Sequence, residues 1–401
     1  MEFGKPKAEI PILMGKIQVG FIGCGRISGL HARGYAQNPD AEIAAVNDSN
    51  IAVAEKMGQE WGARKIYDDY RKMLDDPDID AVEILTPQKF HEQMVVDAAS
   101  AGKHILVQKP MTTDLASADR MIQAANAGGK VYKVIENYIF YPPIVFAKQL
   151  IERGEIGAPI NMRIKFISGS SGGWDVPEES WAWRMEENAA GRGMQTFDHG
   201  HHMWSIAWFF MGEIERVCAW IDSYNNIVDC PSIIMWKYKG GKQYGVCDYT
   251  HAYEMHVPSE YYANDEWIEI SGSEGIILIN RCVGKINTGP VVSVFKGRAW
   301  EHYDHLDSDW AAGFVGSTRN FIAALKQEET PLLSGEQARK ILAFALAIQK
   351  SSQERREVYI DELDSPAGAE YSRKKIAEDI ERASHRQMVT LEELKKTPRL
   401  L

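Results

Sequence analysis

Three places in this 401-residue chain carry side chains able to do chemistry. In the run Gly191 to His202, Asp198 and His202 stand four apart, and on a helix they share a face. The carboxylate would orient the imidazole and favour its protonated form. A histidine titrating near neutral pH suits removal of a hydroxyl proton. Gln108-Lys109-Pro110 follows an apolar run. A lysine there can bond a hydroxyl and stabilise a developing alkoxide, or it is a surface lysine before a proline turn. Finally, an apolar run from Val19 ends in Gly23-x-Gly25-x-x-Ser28. Gly23 allows a tight turn, Gly25 admits a pyrophosphate to the backbone, and Ser28 is small enough for close helix–strand packing.

The surroundings of the glycines strengthen that reading. Val19 to Ile22 reads as a buried strand, Ser28 to Gln37 as a helix, and Glu42 to Asp48 as the next strand ending in an acid. Phosphate would lie over the helix N-terminus, where free N–H groups and the helix dipole favour anions. Arg26 and Ile27 belong to the same turn. Asp48 is placed to accept hydrogen bonds from ribose hydroxyls and to repel a 2′-phosphate. Ser49 and Asn50 follow it, with no cation for that phosphate, so NAD is favoured over NADP. Arg64 and Lys65 are the nearest competing cations. His199, His201 and His202 also raise a metal site, with Asp198 as a further ligand. Hydride transfer to NAD needs no metal, and none is assigned.

These residues need a frame. Strand and helix signals alternate up to about residue 140, which implies a parallel sheet with helices on both faces. After Pro142-Pro143 one helix is followed by short strands from Ile160 to Asn280, which imply a mostly antiparallel sheet. The expected division is a tail (1–15), a dinucleotide-binding α/β domain (16–140), an α+β domain with a large open sheet (141–364) and a charged helical extension (365–401). A hydrophobic content of 45% with 25% charged residues is that of a globular protein. A net charge of −11 argues against a nucleic-acid surface. No apolar run is long enough to cross a bilayer, and Met1 to Met14 makes a poor signal peptide. Five scattered cysteines without C-x-x-C spacing fit a reducing cytoplasm.

From Lys16 to Ile360 the chain resembles the glucose–fructose oxidoreductase / inositol dehydrogenase / rhizopine-catabolism (Gfo/Idh/MocA) family. The matching pieces are Gly20 to Ile27, Thr86-Pro87 with His91, Lys109-Pro110, Asp198-x-x-x-His202 and Ile270 to Gly275. The resemblance implies a Rossmann domain followed by a domain whose open sheet commonly joins subunits, here as a dimer or tetramer. It implies NAD(P)-dependent oxidation or reduction of an alcohol of a sugar, glycoside or inositol. Lys109, Asp198 and His202 would be the catalytic residues. Thr86, Pro87, His91 and Gln108 would join the cofactor site.

The chain departs from the family pattern in three places. Gln108 stands where the family has Glu, Gln88 where it often has Asn, and Asn137-Tyr138-Ile139-Phe140 replaces basic residues, which disfavours an anionic substrate. The segment Gly169 to Arg184 reads as a flexible loop followed by tryptophans. Trp174 and Trp183 would pack on a sugar or aryl ring, with Arg184, His199 and Tyr138 also lining the substrate; the alternative is that the tryptophans fill core. Trp204 and Trp208 read as helix packing. Two other functions are open to the same fold: transient oxidation by tightly held NAD, and a sensor without chemistry.

Overall fold

The computed structural model describes residues 15–176, 178–223 and 228–365, with isolated positions between 368 and 378. The tail placed at 1–15 and the extension placed at 365–401 lie almost wholly outside the described residues.

The first sheet collects β1 (Ile17–Ile22), β2 (Ala41–Asn47), β3 (Lys65–Tyr67), β4 (Ala81–Ile84), β5 (His104–Val107) and β6 (Tyr132–Val134). All pair in parallel, in the order β3-β2-β1-β4-β5-β6. Their near-continuous apolar runs suit strands covered on both faces; β1 and β4 are buried almost throughout. The connecting helices are α1 (Ser28–Ala36), α2 (Ile51–Trp61), α3 (Tyr70–Leu74), α4 (His91–Ser100) and α5 (Leu115–Ala127). Side-chain caps start three of them: Asn50 accepts from the Ala52 N–H, Asp69 from the Arg71 N–H and Asp114 from the Ser117 N–H. Gly62, in the left-handed region at φ +73°, closes α2. The order reverses between β1 and β4, so the carboxyl ends of these strands open a crevice there.

Next come α6 (Pro142–Glu152), β7 (Pro159–Ser171), α7 (Glu178–Ala189) and α8 (Gly200–Met211). The second sheet then adds β8 (Ile214–Ile221), β9 (Ser232–Tyr238), β10 (Tyr244–His256), β11 (Asn264–Gly272), β12 (Gly275–Ile279), β13 (Val292–Lys296) and β14 (Ala299–Tyr303). After α9 (Ala312–Leu325) and α10 (Gly335–Glu354), the short β15 (Val358–Tyr359) completes nine strands, ordered β14-β13-β12-β11-β7-β10-β9-β8-β15. Only β7 and β10 pair in parallel. One face carries buried Trp236, Tyr238 and Tyr249 against Trp204 of α8 and Phe344 of α10.

The structure corrects one local expectation. The segment 169–184 does not open as a loop: β7 runs on to Ser171, and Trp181, Trp183 and Arg184 belong to α7. The β13–β14 hairpin lies beyond the strands read from the sequence; its outer strand, Ala-Trp-Glu-His-Tyr, is mostly exposed. Beyond the second sheet the chain returns to the first. Phe321, Ile322 and Leu325 of α9 join the apolar cluster of Val19, Phe21 and Val46. Gly34 lets α1 meet α9, since a Cβ there would lie 2.5 Å from the Thr318 hydroxyl oxygen.

Candidate active site

Five parallel strands, β1, β2, β4, β5 and β6, carry the candidate site at their carboxyl ends. After β1, Gly23 adopts φ +98°, and a side chain there would strike the Leu85 carbonyl at 2.8 Å. Gly25 faces open space, leaving the backbone approachable. Asp48, just past β2, accepts from the N–H groups of Cys24 (2.8 Å) and Asn50 (2.9 Å), which fixes its carboxylate beside the glycine turn. Ser28 is buried, and its hydroxyl donates to the Gly25 carbonyl. Arg26 leaves the turn and lies 5.4 Å over the Trp174 ring.

Lys109 follows β5 and crosses to the second sheet's side of the crevice. Its Nζ donates to the main-chain carbonyl (3.0 Å) and to Oδ1 (3.1 Å) of Asp198. Arg184 approaches Oδ2 of the same carboxylate at 3.7 Å. Burial pushes the Asp198 carboxyl up, but the charges of Lys109 and Arg184 prevail and hold it at about 2.

Asp198 lies in a π-helical turn, Met194–His199, before α8. The N–H groups of Gln195 and Thr196 both donate to Asp229 at 2.7 Å, and Gly193 leaves room for that carboxylate. The wider turn breaks the simple four-residue stacking expected of Asp198 and His202. Asp198 faces Lys109, while His202 Nδ1 meets Glu136 Oε1 at 2.7 Å. Its Nε2 has no partner among the described residues. Burial, then the Lys109 charge, drives the His202 imidazole well below its usual value, so the ring is neutral rather than protonated.

Behind this pair lies a second buried carboxylate. Glu266 Oε1 accepts from the Tyr138 hydroxyl (3.1 Å) and the Asn264 amide (2.6 Å), and meets His199 Nε2 at 3.1 Å. The Tyr138 ring packs against His202, with centroids 4.6 Å apart.

The family model for the Gfo/Idh/MocA oxidoreductase family, NAD-binding Rossmann fold, matches residues 17–136, and that for the Gfo/Idh/MocA C-terminal domain matches residues 144–278. The chain belongs to the Gfo/Idh/MocA family. A myo-inositol 2-dehydrogenase of Thermotoga maritima is 26% identical, covering 86% of this chain and 99% of its own. A D-apiose dehydrogenase of Paraburkholderia graminis is 27% identical over 87% of this chain and 91% of its own. A levoglucosan dehydrogenase solved with NADH and levoglucosan shares the fold at a TM-score of 0.73 and 21% identity, over 86% of this chain and 99% of that one.

Within this Gfo/Idh/MocA frame several expected contacts differ. His91 is fully buried, with Nε2 on the Thr86 carbonyl (2.7 Å) and Nδ1 near those of Pro110 and Met111. It staples the loops after β4 and β5 together, so Thr86, Pro87 and Lys109 keep their places, and both its ring nitrogens are committed to main-chain carbonyls. Tyr138 is also fully buried with its hydroxyl committed to Glu266, so it backs His202 rather than lining an open pocket. Gln108 bridges the Lys109 N–H (2.8 Å) and His31 Nε2 (3.1 Å). Trp174 is wedged edge-on between Tyr261 and Tyr262. Trp183 lies beneath the Arg184 guanidinium, 4.4 Å away. Trp204 packs as helix core, as expected.

Glu136, Glu266 and Asp229 escape the sequence reading. Glu136 carried a usable signal: it ends the run before Asn137, at the carboxyl end of a parallel strand, the same rule that singles out Lys109. Glu266 and Asp229 sit in polar stretches whose burial only the fold reveals.

Proposed function

We propose that this family member oxidises a secondary alcohol of a cyclitol, sugar or glycoside, or runs the reverse reduction, with NAD as cofactor. Its named relatives act on such compounds, and the carrying observation is that Lys109, held by Asp198, and His202, held by Glu136, are both anchored by residues that follow strands of the first sheet or lie in the turn before α8. Gly23, Gly25, Arg26, Ile27 and Asp48 would hold NAD, with Thr86, Pro87 and Gln108 beside it. When bound, NAD takes up the hydride that leaves the alcohol carbon.

The chain's own residues handle the proton and the charge. Lys109, held by two acceptors on Asp198, donates to the substrate oxygen and stabilises negative charge as it develops. His202 presents Nε2 to the hydroxyl and takes its proton, while Glu136 fixes Nδ1. Arg184 and His199 offer bonds to neighbouring hydroxyls. NAD rather than NADP suits a site in which Asp48 would meet the ribose and the two competing cations read from the sequence are already paired. Arg64 pairs with Glu42, and Lys65 with Asp76 (2.6 Å) and Asp78 (2.8 Å).

The outer face of the second sheet supports association of like chains: Trp220, Met235 and Tyr244 are exposed on it. Five free thiols suit a reducing cytoplasm. The deciding experiment follows absorbance at the NADH band with NAD and a panel of inositols, aldoses and aryl glycosides. A rise with one class identifies the substrate. No rise with any of them, despite NAD binding by calorimetry, overturns the dehydrogenase reading.

A further inference from the structure

Resting on that reading, we propose that Glu136 is a positioning residue that decides which nitrogen of His202 faces the substrate, and so sets the pH at which the site exchanges the role of base for that of acid. The geometry confines the pair closely. Glu136 is fully buried, its Oε1 lies 2.7 Å from His202 Nδ1, and the same oxygen accepts from the Tyr138 N–H at 2.9 Å. The other carboxylate oxygen has no partner among the described residues. The carboxylate therefore has one imidazole to serve.

The proton count follows. With one proton on the pair, it sits on Nδ1 and donates to the ionised Glu136. Nε2 then carries a free lone pair and accepts the alcohol proton: the O–H bond breaks, an N–H bond forms at Nε2, and the alkoxide is left on Lys109. With two protons on the pair, either Glu136 is protonated and donates to Nδ1, or His202 is an imidazolium. Nε2 carries hydrogen in both cases. That form cannot accept from an alcohol, but it can donate to a carbonyl oxygen in the reverse direction. The titration belongs to the pair and not to either residue.

The surroundings place this exchange near neutrality. Burial pushes the Glu136 carboxyl up to about 7, against the lowering effect of the Tyr138 N–H and the Lys109 charge. Burial and Lys109 push His202 the opposite way. The groups facing the pair are Lys109 after β5, Asp198 and His199 of the π-helical turn, His201 and Ser205 of α8, and Glu266 of β11 behind Tyr138. Burial holds His201 at about 4, so it stays neutral through this range.

The test is Glu136→Gln, read in two ways. In turnover, the acid limb of alcohol oxidation moves down by about one pH unit or more, because a buried histidine without its carboxylate protonates less readily. Carbonyl reduction at neutral pH slows about tenfold or more. Glu136→Asp, which keeps the acid, brings the limb back toward wild type. A purely structural role lowers both rates without moving the limb, and that result overturns the proposal.

The second reading uses ¹⁵N-histidine NMR of the NAD-free protein, with His202 assigned from the signal lost in His202→Gln. Protonation of Nε2 shifts to lower pH in Glu136→Gln. Wild-type protein that keeps its proton on Nε2 at pH 9 overturns the proposal without any variant. If no alcohol is turned over by the wild type, the dehydrogenase reading falls while the NMR midpoint still judges the pair.

Discussion

Lys109 Nζ holds Asp198 by two acceptors at once, the main-chain carbonyl at 3.0 Å and the carboxylate at 3.1 Å. The two residues lie 89 positions apart, one after the fifth strand of the parallel sheet and one before α8. The lysine is thus anchored by backbone as well as by charge, and the two replacements at this contact should separate. Lys109→Ala removes the donor to the reacting oxygen and should lower turnover by about a hundred- to a thousandfold. Asp198→Asn keeps the carbonyl anchor and an amide acceptor, and should cost roughly tenfold less. Equal losses in steady-state turnover would show that the Asp198 charge, not its position, matters.

The same carboxylate makes a pH prediction. Its pKa is depressed in the folded state to about 2, below the ordinary value of 3.8. Its contribution is therefore fully present above about pH 4 and is lost as pH falls through 2. At roughly 2 kcal/mol, it should appear as a stability gap between wild type and Asp198→Asn that narrows over that window. Urea unfolding between pH 6 and pH 2.5 measures it. A gap that instead narrows between pH 6 and 8 would contradict an ionised Asp198.

The π-helical turn depends on Asp229, which binds the N–H groups of Gln195 and Thr196 at 2.7 Å each. Gly193 is required beside it, since a Cβ there would lie 1.9 Å from the Asp229 carboxylate. Gly193→Ala should therefore lower stability by roughly 2–4 kcal/mol and lower turnover, with NAD affinity unchanged. Calorimetric NAD titration beside thermal melts separates these effects. A loss of NAD binding equal to the loss of turnover would place the damage in the first sheet instead.

Much of this arrangement was legible before the fold. The glycine turn, Asp48 and the alternation up to Ile135 are local signals with fixed periods, and the parallel sheet follows them. Lys109 was singled out by its place after a strand, with a surface lysine equally open, and Asp198 and His202 by their spacing together with the family resemblance. The partner of His202 was not, because i, i+4 reasoning assumes an unbroken α-helix and the turn at Met194–His199 is wider. His91 misled for a related reason. Its neighbours are three main-chain carbonyls, which no side-chain pattern announces. Trp174 and Trp183 gave aromatic mass but no direction; neighbouring rings and guanidinium groups occupy their faces and edges.

Asp48 should decide between the two nicotinamide cofactors by charge. Asp48→Asn retains an acceptor for the Cys24 N–H, so the glycine turn should persist. It removes the repulsion of a 2′-phosphate and weakens the bond to ribose hydroxyls. NAD affinity should fall and discrimination against NADP should drop by about tenfold. Competitive binding of the two cofactors checks this. Unchanged discrimination would shift the selection to Arg64 or Lys65 and require their ion pairs to open.

The outer face of the nine-stranded sheet makes the last prediction. Trp220, Ile233, Asp248, Lys165 and Trp267 form one cross-strand row, from β8 through β9, β10 and β7 to β11. Lys165 pairs with Asp248 in the middle of that row. Trp220 is 64% exposed and Met235, in the neighbouring row, 40%. An apolar face with a central ion pair matches a copy of itself across a two-fold axis, where the exposed indoles would be covered. Trp220→Lys replaces the exposed indole by a charge that would have to be desolvated in each copy, and should dissociate the assembly while leaving the inner face, and NAD binding, intact. Light scattering coupled to size exclusion reads the mass. An unchanged multimer would place the subunit contact on another surface, and a wild-type monomer would remove the sheet face as an interface.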